Sequence, residues 1–210
     1  KGSNETTITG EIKGLGTDTL YLYGMDELYD RIDTIYVEND KFSYTTSVDT
    51  ITSAYLLLKN RIEYPVFLDK GNKIKIKGDT INLNFLTISG NIYNEEFTDF
   101  QKALEDPADP SEKAGEETVD KRTTVEKANT AEEMAEEFIL QHHSSYVSLY
   151  LLDKYFVQKE TPDFSKIKKL VEVMTGVLQD KPYIERLNET ITQAEKSEIG
   201  KYAPFFSLPN

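Results

Sequence analysis

The chain contains two imidazoles, and they are neighbours: His142 and His143. Adjacent side chains on a helix diverge by about 100°, so this pair cannot close on one metal as an i, i+4 pair does. A helix-end or surface role is the reading they support. With no cysteine and no further histidine among 210 residues, Cys–His nucleophilic catalysis is excluded and a Ser-His-Asp triad is poorly supported. Carboxylates are plentiful enough for a hydrolase pair, but spacing singles out none, and most acids fall where solvated faces are expected. Gly14-Leu15-Gly16 begins like a dinucleotide loop, yet Thr19 stands where the third glycine belongs and no helix follows. Asp106-Pro107-Ala108-Asp109-Pro110 lacks the glycine and terminal glutamate of a calcium loop. No catalytic residue, metal or cofactor is expected of these residues.

The types best suited to binding are tyrosines. Tyr21, Tyr23, Tyr36, Tyr44, Tyr55 and Tyr64 all fall in a strand-like region. Exposed as a strip, such rings stack sugars or seat a partner protein; at the rim of a core they only keep their hydroxyls wet. Tyr21, Tyr23, Tyr36 and Tyr44 are the candidate partner or ligand surface. A second regularity is Asp-Thr-aliphatic, at Asp18-Thr19-Leu20, Asp33-Thr34-Ile35, Asp49-Thr50-Ile51 and Asp79-Thr80-Ile81. Asp closing a turn and Thr entering a strand accounts for it. The tripeptide also resembles the acceptor motif for protein O-glycosylation in some envelope-dwelling bacteria.

The elements that position these residues change character along the chain. Residues 5 to about 90 read as antiparallel β: Leu20 and Leu22 alternate with Tyr21 and Tyr23, and Ile35 and Val37 with Thr34 and Tyr36. Asn39-Asp40, tolerant of positive φ, predicts a two-residue hairpin between Ile35-Val37 and Phe42-Tyr44. Asp69-Lys70-Gly71-Asn72 is a turn into Ile74-Lys75-Ile76-Lys77, with isoleucines inward and lysines in solvent. Short strands at regular spacing imply a sandwich or small barrel. After Gly90 the period becomes helical: Phe97, Phe100, Gln101 and Leu104 share a face, and Asp106-Pro107 ends that helix. Residues 105–129 are a charged loop with a loose helix around Glu117 to Lys127. Thr130-Ala131-Glu132-Glu133 reads as a capping box opening the next helix, and a serine after His142-His143 caps another. Thr161-Pro162-Asp163 opens a helix burying Ile167, Leu170, Val171, Met174 and Val177-Leu178, and Pro182 begins the last. The fold class is α+β: an antiparallel β domain over 1–92, a helical bundle-like region over 93–198, and a distinct tail over 199–210.

A formal charge of −13 makes nucleic acid an unexpected partner. No stretch approaches the roughly 18 apolar residues that span a bilayer. Lys1-Gly2-Ser3-Asn4-Glu5-Thr6-Thr7, polar and without an initiator Met, reads as an end left by processing or trimming. The tail, Gly200-Lys-Tyr-Ala203-Pro204-Phe205-Phe206-Ser207-Leu208-Pro209, resembles the Gly-x-x-Ala-Pro-x-Phe-x-Leu opening of the thioredoxin-like domain in the alkyl hydroperoxide reductase and thiol-specific antioxidant family. That family usually has Asp where Phe205 stands.

Upstream, Ile8 to Leu15, Asp33 to Phe42, Phe67 to Asp79 and Ile88 to Asn91 resemble the β-rich domain of unknown function that precedes such modules in anchored envelope proteins, with Asp40 where glycine is commoner. Phe138 to Ser145, Val147-Ser148 and Leu151-Leu152 resemble the connecting region. The resemblance implies a thiol-disulfide oxidoreductase of the periplasm or cell envelope, membrane-held only through a lipid on a cysteine before Lys1. These residues would be its non-catalytic accessory portion, and its partners the thioredoxin-like domain of the same chain, a second copy, or envelope proteins. Without that domain the tail is expected to be poorly ordered or packed by a neighbour. A glycan- or protein-binding sandwich of an envelope lipoprotein is the alternative, and a stand-alone carboxylate hydrolase a distant third.

Overall fold

Alternating side chains over the first ninety residues resolve into eight strands: β1 (Glu5–Lys13), β2 (Asp18–Gly24), β3 (Ile32–Val37), β4 (Lys41–Ser47), β5 (Thr52–Leu57), β6 (Glu63–Leu68), β7 (Lys73–Asp79) and β8 (Thr87–Ser89). They form two four-stranded sheets, sheet A in the order β4-β1-β7-β8 and sheet B in the order β3-β2-β5-β6. The computed structural model describes residues 4–25, 28–105 and 123–201. The protein is α+β, and the sheets are antiparallel-dominated layers of an open sandwich, not a closed barrel.

Every pairing is antiparallel except β1 with β7, which run parallel with Ile8 opposite Ile74 and Ile12 opposite Gly78. The inward positions fill one core: Ile8 and Ile12 from β1, Ile74 and Ile76 from β7, Leu20 and Leu22 from β2, Leu56 and Val66 from β5 and β6, all at most 1 % exposed. Removing that apolar surface from water is the main favourable term. Gly10 is needed in β1 because the ring of Phe42, its partner across the ladder, lies where a Cβ would be, 2.2 Å from Cζ.

Asn39 and Asp40 take φ of 50° and 69°, the left-handed pair expected of the tight turn. Its arms do not form a hairpin. They hold a single bridge, Glu38 with Lys41, and then part, β3 into sheet B and β4 into sheet A. Asp40 is drawn instead to the β1–β2 loop, where its carboxylate accepts from Gly16 N at 2.5 Å and its N–H donates to Gly16 O at 3.0 Å.

The chain divides into two units, Lys1–Thr123 and Thr124–Asn210. Helix α1 (Ile92–Glu105) therefore belongs with the strands, although the sequence grouped it with the later helices. Asn91 caps it, accepting from Asn94 N at 3.0 Å, and its buried residues are Asn94, Phe97, Phe100 and Gln101. The Phe97 ring meets the edge of Tyr64 at 5.6 Å.

The second unit holds α2 (Thr124–Gln141), α3 (Tyr146–Leu152) running into a π-helical segment Asp153–Val157, α4 (Phe164–Val173) and α5 (Pro182–Lys201). Ser145 caps α3 by accepting from Val147 N, and Asp163 caps α4 by accepting from Lys166 N, as their positions predicted. Thr130 does not open a helix, contrary to the capping-box expectation. α2 already begins at Thr124, and Thr130 lies inside it with its hydroxyl donating to Glu126 O at 2.8 Å. A threonine bonded back one turn looks the same in sequence as one that starts a helix. α4 also stops at Val173, so Leu178 packs from a separate 3-10 turn, Gly176–Leu178. Most of the charged loop, 106–122, and the tail residues 202–210 lie outside the described residues.

Candidate functional site

Period-two alternation places the odd-numbered positions of β2 and the even-numbered positions of β3 on the outside of sheet B. Tyr21 and Tyr23 therefore share a face with Ile32, Thr34 and Tyr36. The register sets Tyr23 opposite Ile32 on one side and opposite Tyr55 on the other, while Tyr21 faces Thr34 and Leu57. Tyr36 is diagonal to Tyr21, a separation of roughly 7–8 Å between such positions. The result is a strip running Tyr36, Tyr21, Tyr23, Tyr55 across three strands. The rings of Tyr23 and Tyr55 lie 5.8 Å apart, and the Tyr23 hydroxyl donates to Glu63 at 2.5 Å. Burial, then that carboxylate, pushes the Tyr23 phenol up from its ordinary value. Tyr21, Ile32 and Tyr36 are 41, 73 and 76 % exposed, and no charged side chain stands among them.

Tyr44 is not part of this strip. It stands opposite Ile8 on the inner side of β4, in the other sheet. Tyr64 is core, its hydroxyl shared between Leu86 N and Leu86 O at 3.1 Å each.

Tyr44 belongs to a polar cluster where the edges β3 and β4 meet. Asp33, an inward position near the start of β3, takes hydrogen bonds from Tyr29, Tyr44 and Arg31, the last at 3.1 Å. Arg31 also donates to Thr46 and, at 2.9 Å, to Ser47 O, with its guanidinium 4.4 Å from the centre of the Tyr29 ring. Burial raises the Asp33 carboxyl, but the three donors and the Arg31 charge outweigh it and hold the group below its usual range. The Tyr44 phenol is pushed up to about 12, by burial first and by Asp33 second. These polar groups bond to one another across β3 and β4, which makes the cluster a clasp between sheets. Sequence reading passed over Tyr29 and Arg31; the available signal was an aspartate at an inward strand position, which demands a partner.

The histidines sit at the end of α2. His142 stacks on Phe138 at 4.0 Å with Nδ1 3.1 Å from Phe138 O, and His143 Nδ1 is 3.2 Å from Thr175 Oγ1. Among the described residues no group of three His, Cys, Asp or Glu side chains could hold a metal ion. Of the Asp-Thr-aliphatic threonines, Thr50 is exposed in a bend, whereas Thr19, Thr34 and Thr80 are half-buried. No described helix is long and apolar enough to cross a membrane.

Fold and face together define a two-sheet sandwich, sealed by a helix, with an aromatic strip on the outside of sheet B and Glu63 at its β6 side. Residues 6–97 match the model of a family described as a domain of unknown function, DUF4369. The match runs from the second residue of β1 through β8 and ends inside α1. No curated protein and no solved structure matches the chain.

Proposed function

We propose that this chain is the non-catalytic accessory portion of a cell-envelope thiol-disulfide oxidoreductase, and that it acts by docking a protein on the outer face of sheet B. The observation that carries the docking role is the face itself. Exposed Tyr21, Ile32 and Tyr36 form a continuous apolar strip, and apolar surface left in water costs about 25 cal/mol per Å². The redox context is supported by the resemblance of Gly200 to Pro209 to the start of a thioredoxin-like domain. With no cysteine of its own, the chain leaves disulfide exchange to that domain. Ile32 favours a protein over a sugar, since an aliphatic side chain 73 % exposed offers nothing to hydroxyls.

The test uses the parent protein with Tyr21→Ser and Tyr36→Ser together. Reduction of protein disulfides should fall about tenfold, the loss of roughly 1.4 kcal/mol of docking energy. Turnover of a small-molecule disulfide should not change. Equal rates on protein disulfides would overturn the docking role. Binding on a glycan array that disappears in the same variant would replace it with a glycan-binding module.

A further inference from the structure

We infer that the protein docked on sheet B is a second copy of this chain, packed face to face about a two-fold axis. This rests on the docking role proposed above and names its occupant. The first argument is charge. At −13, two copies repel wherever their ordinary surfaces meet, and the strip of Tyr36, Tyr21 and Ile32 is a face with little charge to oppose, its nearest carboxylate being Glu63, held by the Tyr23 hydroxyl at the β6 side. The outer face of sheet A carries Lys73, Lys75 and Lys77 along β7, a charged face without such a strip.

The second argument is the rim. Glu38 lies just beyond the end of β3, at one edge of sheet B. Lys59 and Arg61 occupy the turn from β5 to β6, at the same end of the sheet and its opposite side. A two-fold axis running along the strands, between β2 and β5, keeps the end and exchanges the sides. It sets Glu38 of each copy beside Lys59 and Arg61 of the other, and lays the strip around Tyr21 and Tyr23 against itself. Stacked sheets with nearly aligned strands, about 10 Å apart, are an ordinary packing. Thr19 and Thr34 stand beside Tyr36 and Tyr21 as small gaps into which opposing rings can fit.

Sedimentation velocity across the micromolar range should show a concentration-dependent dimer. Ile32→Lys with Tyr36→Lys should yield a monomer with unchanged circular dichroism, while Lys75→Glu on the other sheet leaves the dimer intact. Glu38→Lys alone, or Lys59→Glu with Arg61→Glu, should each weaken association about tenfold. Combining all three reversals should restore it, and mixing the two weakened variants should give a heterodimer. A monomer at every concentration, a dimer indifferent to Ile32→Lys and Tyr36→Lys, or no rescue by the combined reversals would each overturn the inference. A monomer whose parent still loses protein-disulfide turnover in the tyrosine variant retires the dimer and leaves the docking role standing.

Discussion

The sandwich has two seams, and they are closed by opposite chemistry. Between β6 and β8 the neutral side chains of α1 take the place of missing strands. Asn94 accepts from Phe67 N and donates to Phe67 O, both at 2.9 Å, and the Thr98 hydroxyl does the same for Ile88 at 3.0 and 3.1 Å. Asn91 adds a donor to Phe67 O, and Gln101 donates to Asn84 O. Between β3 and β4 the closure is ionic, through Arg31 and Asp33 with three hydroxyls around them. Open strand edges invite pairing with other chains, and both seams remove that invitation. Only the ionic seam responds to pH.

The largest effect should come from the neutral seam. Asn94→Ala strands the Phe67 N–H, fully buried in β6, and leaves a void, for a loss of about 3 kcal/mol. Native-state hydrogen exchange at the core amides of β2 and β6 reads the first unit by itself. A loss below about 1 kcal/mol would mean that α1 decorates the seam rather than closing it.

Asp33→Asn should cost about 2 kcal/mol at neutral pH by leaving Arg31 and the tyrosine donors short of their acceptor. Because the folded carboxyl lies below its unfolded value of about 3.9, its contribution is present above that value and is lost as pH falls through the folded one. The gap between wild type and Asp33→Asn should therefore close on acidification, while the Asn94→Ala penalty stays level. Parallel pH profiles for the two would break the comparison. The smallest effect, about 1 kcal/mol, is expected for Thr98→Val, which keeps the shape and removes one hydroxyl at the edge of the helix.

Most of the layer structure was legible because it is periodic. Ile74-Lys75-Ile76-Lys77 buries its isoleucines and exposes its lysines, as alternation demands. Turn chemistry was equally local, and Asn39-Asp40 adopted the conformation those residues favour. What local signals do not carry is the partner of each strand. The arms of that turn belong to different sheets, and β1 runs parallel to a strand some sixty residues away. The same limit divided the tyrosines. Parity placed Tyr21, Tyr23 and Tyr36 on one surface once β2 and β3 were known to pair. Tyr44 has the same composition and spacing, but it lies on a strand of the other sheet and faces Asp33. Asn94 hid for another reason: a polar residue within a helix reads as solvated until an unpaired strand edge is seen beside it.

The position of β1 carries a consequence for how the protein comes into being. The first of these eight strands to leave the ribosome is an interior strand of sheet A, flanked by β4 on one side and β7 on the other. Its parallel neighbour ends at Asp79, so the sheet cannot be completed before that residue has been made. β4 can cover one edge once Ser47 has been made, but until β7 follows, the other edge stays bare, and slow, long-range closure of this kind exposes a chain to wrong partners. The Thr, Glu and Lys residues alternating along Glu5–Lys13 are therefore as much protection for the nascent strand as decoration of the finished one.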